Sequence, residues 1–233
     1  MTGSTTNTKG RMIMAANSLG RPEDIPPRTL AALKAATLVV FEEDRVARQT
    51  LKAAGIHRDY LRYSEHHQTE TLNQVQACVR SGGTVVYVSD QGTPTLADPG
   101  LDVLIAARVA GARVEVIPGP SAVTAALSAF PHPFSGFIYA GFLPREETDR
   151  RRAIHQYSGS ELPIVLMDTP YRLDALIASC SQTLKHPWRL FVALEIGNAT
   201  ELYWDGTIAE VQEKAAALEE KLNFVLIAYP KER

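Results

Sequence analysis

Thiols are scarce in this chain of 233 residues: Cys78 and Cys180 are its only cysteines, and they stand far apart in helix-like segments. That excludes a disulfide framework and a cysteine metal centre, and it reads as two buried thiols in a reducing compartment. No apolar run approaches the length of a membrane span. The opening residues, MTGSTTNTKG, lack the apolar core of a secretory signal and read as a flexible tail over 1–10. A cytoplasmic protein with no membrane partner is the expectation. Neither charge sign dominates: 24 Lys and Arg stand against 26 Asp and Glu, a formal net charge of −2. No global basic field draws nucleic acid, although a local patch can still form. Several signatures are missing as well. No G-x-G-x-x-G follows a strand, which argues against a nicotinamide or flavin Rossmann site, and no phosphate-binding P-loop is present. There is no G-x-S-x-G elbow and no Cys or His pair at metal spacing. His66 and His67 are adjacent, so they cannot share one face of a helix or strand, and no metal is expected.

What the chain does contain is ordinary globular material, 45% hydrophobic and 21% charged. Its centre runs from Thr84 to Ser128. Thr84–Ser89 is an apolar, β-branched run that reads as a buried strand. It empties into Asp90-Gln91-Gly92-Thr93-Pro94, where Gly and Pro forbid continuation. Asp98-Pro99 looks like a helix start, with Leu101, Leu104, Ile105 and Val109 at helical spacing and Gly111 as the stop. Val114–Ile117 is a second strand, Pro118-Gly119-Pro120 a turn, and Ser121–Phe130 a second helix. Strand–loop–helix repeated in this way is the unit of a parallel sheet. The loops at Asp90 and Ser121 therefore leave one sheet edge on the same side, as two walls of one cleft, where open α/β sheets bind ligands.

Upstream, Met12–Ala16 is a short strand followed by the loop Asn17–Arg21. Pro26-Pro27 opens a helix, and Thr37–Phe41 is a strand ending in Glu42-Glu43-Asp44-Arg45. Those acids either cap the next helix or supply a general base or cation site. Tyr60–Tyr63 reads as a strand, Thr69–Arg80 as a helix. Pro131–Gly136 is read as a linker, which divides the chain into an N-terminal α/β lobe over 11–130 and a C-terminal α/β lobe over 131–233. In the second lobe the strands are Phe137–Ala140, Pro163–Asp168, Arg189–Glu195, Glu201–Trp204 and Asn223–Tyr229, with Asp205-Gly206 as a turn. Thr207, with Glu210 in capping-box position, starts a helix expected to run through Glu220. Short turns between several of these strands predict a mixed or antiparallel sheet. The consecutive Arg150, Arg151 and Arg152 suit either a solvated helix start or a clamp on an anionic substrate.

Ser89–Gly100 (SDQGTPTLADPG) followed by Val116–Ser128 (VIPGPSAVTAALS) resembles the tetrapyrrole methylase superfamily of S-adenosylmethionine-dependent methyltransferases. The resemblance is nearest to the branch that methylates a cytidine 2′-hydroxyl in small-subunit ribosomal RNA. Gly20 with Glu23–Ile25, Glu42–Arg45, Tyr63 with Glu65-His66, Gly141–Pro144 with Arg150-Arg151, and Arg172-Leu173 fall in family order. The resemblance implies two α/β lobes, a cofactor cleft between them, a homodimer and a ribosomal RNA substrate. By position it implies cofactor contacts from Leu19, from Asp90, Gln91, Gly92 and Thr93, and from Ser121 and Ala122. In the second lobe it implies Met167, Ala193 and Leu194, with Phe224 or Val225 beside them. Glu42, Glu43, Asp44 and His66 are candidates for the base that a weakly acidic ribose hydroxyl needs. Arg45, Arg150 and Arg151 are candidates for phosphate contacts. The first loop, Asn17–Arg21, departs from the T-P-I-G-N of the RNA branch, and Asp168–Arg172 and Leu194–Asn198 depart too. Methylation of a tetrapyrrole, another small molecule or a peptide, and a catalytically silent binding module, are the alternatives.

Overall fold

A computed structural model describes residues 9–64, 67–96 and 99–230. Most of the expected tail, together with Glu65, His66 and Asp98, lies outside them.

Five strands form the first sheet: β1 (Arg11–Ala15), β2 (Leu38–Phe41), β3 (Leu61–Arg62), β4 (Thr84–Val88) and β5 (Arg113–Ile117). Their order is β3-β2-β4-β1-β5 and every pairing is parallel. A parallel sheet is covered on both faces, which explains runs such as LVVF and TVVYV with no polar alternation. Alternate side chains sort to opposite faces. Ile13, Ala15, Val39, Phe41, Val86 and Val88 pack with Leu33 of α1 (Pro27–Ala35) and with Ala47 and Leu51 of α2 (Asp44–Ala53). Met12, Met14, Val40, Val85 and Tyr87 pack with Val75 and Val79 of α3 (Gln68–Arg80) and with Val103 and Ala107 of α4 (Leu101–Val109). Each fully buried Leu, Phe or Val contributes about 2 kcal/mol. The chain therefore leaves β1 toward one face and its neighbour β4 toward the other, and such a switch opens a crevice at the carboxyl ends of the strands.

One helix start differs from expectation. α4 begins at Leu101 behind Gly100, whose φ is 107°, rather than at Pro99. A Cβ on residue 100 would stand 2.5 Å from the Tyr87 ring, so the glycine is needed both for the turn and for the space.

The packing divides after Ser121, not at Pro131. Helix α5 (Ala122–Ala129) belongs to the second unit because Val123 and Ala126, with Phe130, pack on Val165, Phe191, Val225 and Ile227. The Pro-rich Pro131–Gly136 is thus an internal loop of that unit. Its sheet contains β6 (Ile138–Gly141), β7 (Ile164–Asp168), β8 (Trp188–Leu194), β9 (Leu202–Thr207) and β10 (Phe224–Pro230), in the order β6-β7-β10-β8-β9. Only β6 and β7 pair in parallel; the other neighbours are antiparallel, as the short connections predict. The opposite face is covered through Ile154 of α6 (Glu147–Ser158), Leu173, Leu176 and Ile177 of α7 (Leu173–Thr183), and Val211 and Ala215 of α8 (Ile208–Ala216). Asp205-Gly206 lies inside β9, paired with Phe191 and Leu190, rather than forming a turn. The capping box of Thr207 and Glu210 is present, but α8 stops at Ala216, short of Glu220.

Candidate functional site

Three loops leave the carboxyl edge of the first sheet and interlock. Asn17 follows β1 and is 3% exposed. Its Nδ2 donates to Thr50 Oγ1 at 3.2 Å and to the Ser89 carbonyl at 3.1 Å. Its backbone N–H donates to Gly92 O at 2.9 Å, and the Gly92 N–H returns a bond to Ser18 O at 3.2 Å. The loop after β4 is thereby fastened to the loop after β1. The loop after β5 joins them: Thr93 Oγ1 donates to Pro120 O at 3.0 Å. Gly92 has φ +65°, and a Cβ there would lie 3.0 Å from both Leu19 Cδ2 and Pro120 O. The loops at Asp90 and Ser121 thus share one sheet edge, as expected, and at Gly92 and Pro120 they touch instead of standing apart. Around the buried Gly92, Leu19, Asp90, Thr93 and Ser121 are half-buried and Gln91 is exposed. These are the cofactor-contact candidates of the first unit.

An acidic corner adjoins this edge. Glu42 follows β2, and Tyr87, fully buried in β4, donates its hydroxyl to Glu42 Oε1. The Glu43 N–H donates to Asp90 Oδ1 at 3.3 Å, so the acidic loop and the Asp90 loop are joined. Asp44 is spent locally: Tyr60 donates to it at 3.1 Å and Arg62 lies 3.8 Å away. Glu43 is also 3.8 Å from Arg62. Arg45 is exposed on the first turn of α2. Tyr63 donates to Asp102 Oδ2 at 3.0 Å, and burial, with that bond, raises the phenol above its ordinary pKa and keeps it protonated. His66, the other candidate base, lies outside the described residues.

In the second unit, strand register sorts the expected cofactor contacts. Met167 and Ala193 both pair with Val225 and share one sheet face. Leu194 pairs with Phe224, points to the other face and is completely buried in the core under α7 and α8. Its side chain is a core side chain, and only its backbone remains for a ligand. Ala122 opens α5 and is half-buried.

The run of arginines separates in the same manner. Arg150 is 5% exposed, and its guanidinium donates to Ser179 Oγ at 2.8 Å, Arg145 O at 2.8 Å and Pro144 O at 3.4 Å. Arg150 shares a helix face with the buried Ile154, one turn on. It holds the loop before α6 to α7, a structural task in place of the expected substrate clamp. Arg151 and Arg152 stay outside, beside Glu147 and Asp149 at 3.9 and 2.7 Å.

Two polar clusters escaped the sequence reading. Tyr87 is the first; its signal is a lone phenol at an inward position of an otherwise aliphatic strand. The second joins four elements of the second unit. His132 Nε2 lies 2.9 Å from Asp205 Oδ2 and 2.8 Å from the Tyr229 hydroxyl, which donates to Asp205 Oδ1 and accepts from Arg189 Nε at 3.3 Å. Burial and the Asp205 bond push Tyr229 up to about 12. No sequence spacing links these residues. Among the described residues no group of acids, histidines or cysteines could hold a metal, and no helix is long and apolar enough to cross a membrane.

The family model described as Tetrapyrrole (Corrin/Porphyrin) Methylases matches residues 16–212. The chain is 33% identical over 223 residues to a protein of Neisseria meningitidis serogroup B named ribosomal RNA small subunit methyltransferase I, covering 95% of this chain and 76% of that one. A protein of the same name from Xylella fastidiosa is 32% identical, with 95% and 82% covered. Among solved structures, a cobalt precorrin-4 methyltransferase superposes with a TM-score of 0.73 at 16% identity, over 95% of each chain. A uroporphyrin-III C-methyltransferase from Thermus thermophilus, complexed with S-adenyl homocysteine, superposes with a TM-score of 0.67 at 17% identity, over 94% and 97%. At those identities the likeness is one of fold.

Proposed function

This chain belongs to the tetrapyrrole methylase family of S-adenosylmethionine-dependent methyltransferases, and we propose that its acceptor is the 2′-hydroxyl of a cytidine in small-subunit ribosomal RNA. The names carried by its relatives in Neisseria and Xylella support the RNA acceptor. The single observation that carries the site is the interlock of Asn17, Gly92 and Pro120, which sets the half-buried polar groups of Asp90, Thr93 and Ser121 around a buried, glycine-only position. Such an edge fits a small zwitterion bearing hydroxyls and a base. Asp90 and Thr93 offer side-chain oxygens for hydrogen bonds, and Leu19 offers an apolar surface. In the first unit the remaining candidate contacts for the donor are Gln91, Gly92 and Ser121; the second unit's own candidates are Ala122, Met167, Ala193 and the Leu194 backbone.

When bound, S-adenosylmethionine supplies the electrophilic methyl group on a sulfonium, and the residues of this chain align the acceptor and manage its proton. A ribose hydroxyl is a poor nucleophile at neutral pH. The Glu42 carboxylate, oriented by Tyr87, accepts its proton or hydrogen bond in this reading, with His66 as the second candidate. Arg45 and Arg151 then hold phosphates.

The protein works in the cytoplasm as a homodimer in this reading. The outer stripe of α4 supports the dimer. Leu101, Ile105 and Val109, at 56%, 48% and 72% exposure, sit on one helix face, and Val114 and Val116 of the edge strand β5 are exposed too. The deciding test of acceptor is the fate of a labelled methyl group. Its appearance on ribose in small-subunit RNA supports the reading, and its appearance in a tetrapyrrole or peptide overturns it.

A further inference from the structure

The face of α2 that points away from the core carries Arg45, Arg48, Gln49 and Lys52, all exposed. The opposite face is buried through Ala47, Thr50 and Leu51. Spacings of three and four residues place the three cations in one row. None of the three pairs with a carboxylate among the described residues. The acid nearest in sequence, Asp44, is held by Tyr60 and Arg62. The row ends at a hollow of about 790 Å³ whose lining includes Arg48, Lys52, His57 and Arg58, with Asp59 as its one acid. Arg58 is fixed there, donating to Leu33 O at 2.7 Å and Ala36 O at 3.0 Å, so its charge is immobile. At its other end the row begins with Arg45, three residues after Glu42.

We propose that the outer face of α2 is a phosphate track that holds the RNA backbone while the target nucleotide enters the site beside Glu42; this rests on the RNA reading above. From Arg45 to Lys52 the helix rises ~10 Å. A stacked strand carries a phosphate about every 3.4 Å of axis, so the row matches about three phosphates. In a chain with net charge −2, a row of unpaired cations on one helix is a local exception to the overall field. Contacts of this kind position an RNA without reading its sequence. The cytidine is then selected at the site itself.

The test is the variant R48Q/K52Q, which removes two charges and keeps the helix polar, beside the control K185Q/K214Q on the second unit. Three measurements are made: affinity for purified small ribosomal subunits across a salt series, methyl transfer to those subunits, and S-adenosylmethionine binding by calorimetry. The track predicts that R48Q/K52Q binds subunits about 10-fold or more weakly at low salt. The slope of log affinity against log salt falls by about 1.4, two contacts at about 0.7 each. Cofactor affinity and the rate at saturating RNA stay unchanged, and the control behaves as wild type. Equal slopes and affinities for variant, control and wild type overturn the track and leave the RNA reading standing. A wild-type protein that neither binds nor methylates the subunits overturns both.

Discussion

Thr93 and Pro120 belong to different strand-to-helix loops, and the Thr93 hydroxyl donates to the Pro120 carbonyl across 3.0 Å. With the Asn17–Gly92 bonds, it makes one unit of three loops that sequence separates by tens of residues. A T93V substitution keeps the shape and removes the bond. Stability should fall by about 1 kcal/mol. S-adenosylmethionine affinity should fall further than that loss explains, by 10-fold or more, because Thr93 is also a proposed contact. Calorimetry beside thermal melting separates the two effects; unchanged affinity would remove Thr93 from the site.

Gly92 faces a stricter demand. At φ +65°, with 3.0 Å to Leu19 Cδ2 and to Pro120 O, an added Cβ is strained in backbone and in space. G92A should cost about 1–2 kcal/mol from the left-handed conformation alone and should abolish measurable cofactor binding while leaving the far-UV circular dichroism intact. A G92A protein with normal affinity would show that this interlock does not shape the donor site.

Arg150 and Arg151 are neighbours with opposite fates. R150M removes the bonds to Ser179 Oγ and Arg145 O, while Pro144 O keeps Arg172 and Ser179 keeps Ala175 O, and it should destabilise the protein by about 1–3 kcal/mol. R151A should change stability by less than about 0.5 kcal/mol. Denaturant melts of both check this. An R150M protein as stable as wild type but weak toward RNA would restore the clamp.

Glu210 gives stability a pH dependence of known sign. The Thr207 N–H, followed by its hydroxyl, bonds the carboxylate and lowers its pKa below the ordinary 4.5. A depressed carboxylate stabilises the fold above the unfolded pKa and loses that effect as pH falls through the folded one. The melting-temperature gap between wild type and E210Q should therefore be present near pH 7 and close as pH falls below the ordinary 4.5. A gap that is constant with pH would argue against the capping box as its source.

The apolar stripe on α4 gives the proposed homodimer a direct check. I105D places a charge at its centre and should yield monomers by sedimentation, with the fold retained. A dimer that survives I105D is built elsewhere.

Much of this was legible in the chain. Continuous apolar, β-branched runs, strand–helix alternation and the Gly-Pro loops locate the carboxyl edge of the first sheet and the residues on it. What escaped depended on phase and long-range contact. Adjacent Ala193 and Leu194 point to opposite faces of β8, so a contact list carried over by position could not hold for both side chains. Arg150 turns inward because it falls in phase with Ile154, whereas three consecutive arginines look equivalent in a linear reading. Asp205-Gly206 has turn chemistry, yet both residues pair along β8, and a Cβ at Gly206 would crowd the capping Glu210 Oε2 at 2.9 Å. The Tyr87–Glu42 bond and the cluster around Tyr229 join distant strands, and no local pattern announces them.

If this edge of the first sheet serves transfer of a methyl group to RNA ribose, the label itself will show it. Small ribosomal subunits purified from cells lacking the gene, incubated with the protein and methyl-labelled S-adenosylmethionine, can be digested to nucleosides and resolved by mass spectrometry. Label is expected in 2′-O-methylcytidine, dependent on Glu42 and Gly92; label in a base or in no nucleoside at all would contradict transfer to ribose.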